Sequence, residues 1–148
     1  MVQKVQAFIY RKALPVSELL VFWSDVTQCY QLVRGTLEAN EEPEAAVLRE
    51  IKEEAGLTNL FIEGKLGEKT LRIRGGPKRE GPFEDQVHHG FLIRPVSEVK
   101  DRWTHIAQDC DAERGLAFHF SWLPIDENLE QRIYDDFRPF IKALCQRT

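Results

Sequence analysis

The sequence predicts an α/β protein in which a central mixed β-sheet is packed between helices, and three observations point there. Short runs with two-residue alternation or unbroken apolar character recur along the chain, as strands require. Among them stands one helical segment opened by a proline and closed by a glycine. A second helical pattern follows at the end, and strands on both sides of one helix are best satisfied by layered packing.

The elements follow in order. Val5, Ala7 and Ile9 alternate in KVQAFIYRK, which fits a strand, and Leu19 to Trp23 form a continuous apolar run suited to a more buried one. Pro15 separates the two. The stretch CYQLVRG is a third extended piece ending at Gly35. Pro43 then begins a helix that ends near Gly56, because proline suits the first helical position and glycine the position just past the last. FIEGKLGEKTLRIR reads as strand material broken by glycines, and IRGGPKREGPFED as a charged Gly/Pro loop. VHHGFLIRP and GLAFHFSWLPI are further strands. From Asp126 to Leu144, the spacing of Leu129, Ile133, Phe137, Phe140, Ile141 and Leu144 predicts a terminal helix. No repeat or linker interrupts the chain, so residues 1–148 are expected to form one domain.

Bulk properties limit the function. With 43% hydrophobic and 30% charged residues among 148, the composition is that of a folded globular protein. A net charge of −4 argues against binding duplex nucleic acid, which needs concentrated Lys and Arg. Cys29, Cys110 and Cys145 have no CxxC pairing or zinc spacing, and are expected to be reduced, buried thiols. Neither a secretory leader nor an apolar stretch long enough to span a membrane is evident, so no membrane partner and a cytoplasmic location are expected.

The chemistry concentrates in GTLEANEEPEAAVLREIKEEAGL, Gly35 to Leu57. On a helix Glu50, Glu53 and Glu54 fall at i, i+3 and i+4 and so project from one side, while Leu48, Ile51 and Ala55 lie on another stripe that can be buried. Three carboxylates so placed repel one another and favour a cation; an oxygen-only set suits Mg²⁺, Mn²⁺ or Ca²⁺ better than zinc. A solvated acidic face is the plainer explanation of the three glutamates taken alone.

The whole segment resembles the box of the Nudix family, Gly-x5-Glu-x7-Arg-Glu-U-x-Glu-Glu-x-Gly-U with U aliphatic. Gly35, Glu41, Arg49, Glu50, Ile51, Glu53, Glu54, Gly56 and Leu57 fill every specified position. The resemblance implies a Nudix-type α/β/α sandwich and metal-dependent hydrolysis of a nucleoside diphosphate linked to another moiety. It implies Glu50, Glu53, Glu54 and the backbone carbonyl of Arg34 as metal ligands, with Mg²⁺ expected and Mn²⁺ as the alternative. Glu50 is the first candidate for general base, Arg49 orients a catalytic glutamate, and Gly35, Glu41 and Gly56 are structural. The alternative is a nucleotide-sensing module of the same fold, although such modules usually lack some of the box glutamates. Oligomeric state is open, a homodimer included.

Outside the box the readings divide. Asp109, Asp111 and Glu113 in DCDAERG, like Glu84 and Asp85, offer an extra ligand or a base, or merely an acidic surface. His88, His89, His105 and His119 are more simply packing or surface residues than phosphate ligands. Lys69, Arg72, Arg74, Lys78 and Arg79 offer phosphate contacts or solvated charge in equal measure. Trp23 and Trp122 are expected in the core, and Trp103, in polar surroundings, is the tryptophan best placed for a ligand or partner.

Overall fold

A computed structural model describes residues 1–75, 79–107 and 115–148. Its centre is β1 (Val2–Arg11), which pairs in parallel with β6 (Phe83–Pro95) and antiparallel with β2 (Glu18–Ser24) and the short β4 (Arg34–Thr36). Strand β5 (Leu60–Arg74) runs antiparallel to β6, and β8 (Ala117–Pro124) joins β2 to β7 (Trp103–Ile106). The order is β5-β6-β1-β2-β8-β7, with β3 (Cys29–Gln31) on β2 and β4 on β1. One parallel pairing among antiparallel ones makes the sheet mixed.

Burial on both faces explains the sequence of the central strands. In β1, Val5, Ala7 and Ile9 enter one core and Phe8 and Tyr10 the other; in β2, Leu20 and Phe22 oppose Leu19 and Val21. The alternation therefore sorts residues between two cores rather than between core and solvent. Helix α1 (Pro43–Ala55) covers one face through Ala46, Val47, Ile51 and Ala55. The C-terminal elements cover the other through Leu129, Ile133, Phe137, Phe140, Ile141 and Leu144. The result is the expected α/β/α sandwich.

The single terminal helix is corrected. The segment consists of α2 (Leu129–Arg132), a 3-10 turn over Asp135–Phe140 and α3 (Ile141–Arg147). Ile133 is extended, at φ −98° and ψ 142°, and forms a bridge with Tyr30, while Tyr134 N–H donates to the Tyr30 carbonyl at 3.0 Å. Pro139 inside the 3-10 turn offers no N–H to an α-helical ladder. The apolar positions are nonetheless all buried, so their spacing reported burial correctly and conformation wrongly.

Smaller differences have similar causes. CYQLVRG splits into β3 and β4, which pair with different strands. The glycines of β5 accompany register shifts at Ile62/Gly64 and Lys65/Gly67, bulges within one continuous strand. Strand β7 lies in the polar stretch VKDRWTHIAQ, where an edge position asks for little apolar character. Cys29 is half-buried and Cys145 exposed, contrary to the expected burial; Cys110 falls outside the described residues. Among the described residues, no helix is long and apolar enough to cross a membrane.

Candidate active site

Helix α1 is held firmly at both ends. Pro43 occupies its first turn, and Gly56 ends it in the left-handed conformation at φ 73°, its N–H donating to the Lys52 carbonyl at 3.1 Å. Strand β7 braces the same end: the Trp103 indole N–H donates to the Ala55 carbonyl at 3.0 Å and its ring stacks on Phe120 at 5.0 Å. Trp103 is thus a brace for the helix, and Trp23, 42% exposed, is the tryptophan that faces solvent. Trp122 is half-buried, with Arg11 over its ring.

The acidic side of the helix is not the open surface expected from the sequence. Glu50 and Glu54 are only 6% and 3% exposed, whereas Leu48, assigned to the buried stripe, is 38% exposed. Helix α1 packs against β4 as well as the sheet, so the buried arc is rotated towards the glutamates. Gly35 explains the close approach. A Cβ there would lie 1.9 Å from Glu50 Cδ, so only a residue without a side chain lets the carboxyl group settle against the strand.

Arg49 ties these parts together. Its Nε and Nη2 donate to the two oxygens of Glu41 at 2.8 and 2.9 Å, a bidentate pair, and Nη2 also donates to the Thr36 carbonyl at 3.0 Å. Nη1 donates to Glu50 at 2.9 Å and to Glu53 at 3.4 Å. Glu41 in turn accepts the Glu38 backbone N–H at 3.0 Å. The Arg49 guanidinium, first by hydrogen bonding, holds the Glu41 carboxyl below its ordinary pKa; Glu41, followed by Glu50, drives the Arg49 pKa upward. One cation therefore fixes the loop before the helix, strand β4 and two of the glutamates.

The donor set fits a hard divalent cation in chemistry. Glu50, Glu53 and Glu54 supply only oxygen and share one side of a helix, and Glu50 lies against Gly35. Among the described residues, however, no three His, Cys, Asp or Glu side chains are already gathered in a cage that could hold an ion. Arg49 draws Glu50 and Glu53 towards its own Nη1, so closing on an ion requires their carboxyl groups to turn.

Other polar residues sort by position. His88 is fully buried: Gln6 Nε2 donates to its Nδ1 at 2.8 Å, and its Nε2 donates to Gln86 Oε1 at 2.9 Å, which is the neutral tautomer. Gln6 Nε2 also donates to the Asp136 carbonyl at 2.9 Å, and this acceptor fixes the orientation of the amide. Burial, then the Arg34 charge, pushes the His88 pKa down to about 4. His89 is buried beside Gln3 and Glu68, His105 packs at Gly56, and His119 bonds Thr104 at 2.8 Å. Arg72 and Arg74 share the face of Phe83 at 5.5 and 4.8 Å, as the strand period implies, and Lys69 is exposed. Asp85 stands 4.0 Å from Arg72, and Glu84 accepts from Gln86 at 2.7 Å. Lys78, Asp109, Asp111 and Glu113 lie outside the described residues.

Sequence reasoning missed Asp136, Lys4 and Gln6. The Asp136 carboxylate accepts from Arg34 and, at 2.7 Å, from Arg79, and Lys4 Nζ donates to Thr36 Oγ1 at 2.6 Å. Nothing local in the sequence marks them, although a glutamine and a lysine on a strand otherwise destined for the core are a usable signal.

Comparison with known proteins places this geometry in context. A family model described as NUDIX domain matches residues 5–144. None of the curated proteins matches the chain in sequence. Among solved structures, the E. coli dihydroneopterin triphosphate pyrophosphohydrolase is similar with a TM-score of 0.70 and 16% identity, over 99% of this chain and 96% of its own. A C. elegans Ap4A hydrolase in a binary complex has a TM-score of 0.66 and 18% identity, over 99% and 97%. The NUDIX domain of Shewanella oneidensis NrtR, complexed with ADP ribose, gives 0.64 and 17%, over 99% and 88%. At these identities the likeness is one of fold.

Proposed function

The chain belongs to the NUDIX domain family, and from that premise we propose that it is a metal-dependent hydrolase of a nucleoside diphosphate linked to another moiety, acting through Glu50, Glu53 and Glu54. The observation that carries this is the Glu50 carboxyl group seated against Gly35 and tied, with Glu53, to Arg49. Glu50, Glu53, Glu54 and the Arg34 carbonyl would hold Mg²⁺ or Mn²⁺. When bound, such an ion offsets the charge of the diphosphate and makes an attacking water easier to deprotonate.

The chain's own residues supply the rest. Arg49 stays cationic at any working pH and limits the rotamers of Glu50 and Glu53, a positioning role. Glu50 is the first candidate to accept the proton of the attacking water, a task that typically contributes about 10²–10⁴-fold. Substitution at phosphorus then releases a monophosphate and a second phosphorylated product. The two cores share one sheet, which supports reading residues 1–148 as one catalytic domain.

A screen of diphosphate compounds with Mg²⁺ and Mn²⁺, read by product mass, tests the proposal. Release of a monophosphate is expected, and Glu53→Gln should reduce turnover at least about 100-fold with little change in melting temperature. Nucleotide binding without turnover would instead make the chain a sensing module.

A further inference from the structure

The C-terminal face of the sheet carries a polar island where its core ends. Paired residues of neighbouring strands point to the same side, and the pairs Lys4↔Thr36, Gln6↔Arg34 and Lys4↔His88 put these five side chains on the face that also holds Phe8, Phe137 and Phe140. Asp136, on the 3-10 turn, closes the group from above. Arg34 and Arg79 both donate to a single oxygen, Oδ2, of its carboxylate, and Gln6 donates to its backbone carbonyl.

Two guanidinium groups on one carboxylate oxygen exceed a structural ion pair. Arg34 and Arg79 share the one carboxylate of Asp136, and Lys4, the third cation, lies in the field of both arginines, of Glu50 and of the exposed Glu84. Arg34 and Arg79 are each only 27% exposed in their side chains and Asp136 12%, so solvent screens the surplus incompletely. Burial first, and then the Arg34 charge, holds the Lys4 pKa below the ordinary lysine value, with Glu50 and Glu84 acting against them. A pinning contact for the C-terminal segment needs one arginine. A second arginine and a lysine are superfluous for that and suit an anion.

Position links the island to the glutamates. Arg34 and Gly35 are consecutive on β4, so their side-chain directions are opposite, one towards Asp136 and the other against Glu50. Strand β4 has three residues and pairs with β1. Lys4 feels both Arg34 and Glu50, so the two groups adjoin around this short strand.

We propose that Arg34 and Arg79, which share Asp136, together with Lys4 near them, form an anion subsite for a substrate phosphate beyond the diphosphate that is cut. Asp136 occupies it in the absence of ligand and keeps the guanidinium groups aimed. Planar guanidinium groups match phosphate oxygens in pairs. The subsite favours polyphosphate chains over substrates whose second group carries no further phosphate. This inference rests on the hydrolase reading, since it accommodates another part of the same substrate.

Two measurements test it separately from that reading. The first is calorimetric titration of the protein with inorganic tripolyphosphate in EDTA, which needs neither metal nor turnover. Binding that weakens with salt is expected, with Arg79→Gln and Lys4→Gln each at least about tenfold weaker and Arg79→Lys intermediate. The second compares kcat/KM for a nucleoside triphosphate and for ADP-ribose with Mg²⁺. Arg79→Gln should lower the first at least about tenfold and the second by less than about twofold. Circular dichroism melts confirm that each variant is folded. No tripolyphosphate binding by the unaltered protein, or equal binding by the variants, overturns the subsite even if hydrolysis is observed. Tripolyphosphate binding that the variants weaken, with no hydrolysis of any diphosphate, leaves the subsite standing and rejects the hydrolase reading.

Discussion

At the scale of single residues, Gly35 and His88 make the most specific demands. Replacing Gly35 by Ala sets a methyl group 1.9 Å from Glu50 Cδ, but the carboxyl group is the end of a flexible side chain and can swing away. The expected result is a large loss of metal-dependent turnover with a small change in melting temperature; a protein that keeps its activity would show that Glu50 does not need its place against β4. Gly56→Ala differs, because φ 73° strains any other residue and the new methyl would lie 2.8 Å from His105 Nδ1. Urea denaturation should show a loss of about 1–2 kcal/mol there. His88 gives the pH dependence. Its folded pKa of about 4 lies below the ordinary histidine value of 6.5, so the unfolded chain binds the extra proton first and stability falls as pH drops from about 6.5 towards 4. His88→Gln should reduce that loss by about 2 kcal/mol, measured as the difference in unfolding free energy between pH 7 and pH 4.5. Equal losses in both proteins would contradict the assignment.

At the scale of elements, legibility followed the range of the forces involved. Helix α1 was readable at both ends because Pro43 and Gly56 are local signals that act through their own backbone. The three glutamates and Arg49 were readable because helix geometry fixes their directions, but their burial was not. Which arc of α1 turns inward depends on β4, a partner distant in space from the helical pattern. The terminal segment shows the same limit. Its apolar positions specified burial, while the extended Ile133 arises from its pairing with Tyr30, about a hundred residues away in sequence. Asp136 escaped notice for this reason, since its partners Arg34 and Arg79 come from other elements. Strand β7 was hidden by its edge position, which lets Trp103 sit among polar neighbours while its ring braces the end of α1.

At the scale of the whole molecule, one sheet with a core on each face divides the labour. One core seats helix α1, which carries the glutamates, and the core of Phe8, Phe137 and Phe140 anchors the segment that carries Asp136. Phe140 is 1% exposed, packs edge-on to Phe8 at 5.7 Å, and fills the space above Gly90, where a Cβ would lie 2.8 Å from its ring. Phe140→Ala should therefore cost about 3–5 kcal/mol in chemical denaturation, and loosen the anion subsite before it disturbs α1. The central claim, that the acidic side of α1 takes up a divalent ion, is tested most directly by electron paramagnetic resonance titration of Mn²⁺ into the intact protein and into Glu53→Gln. Saturable loss of the free Mn²⁺ signal is expected, reversed by Mg²⁺ and weakened at least about tenfold by the substitution. Free Mn²⁺ that is undiminished by the protein, or diminished equally by both forms, would contradict it.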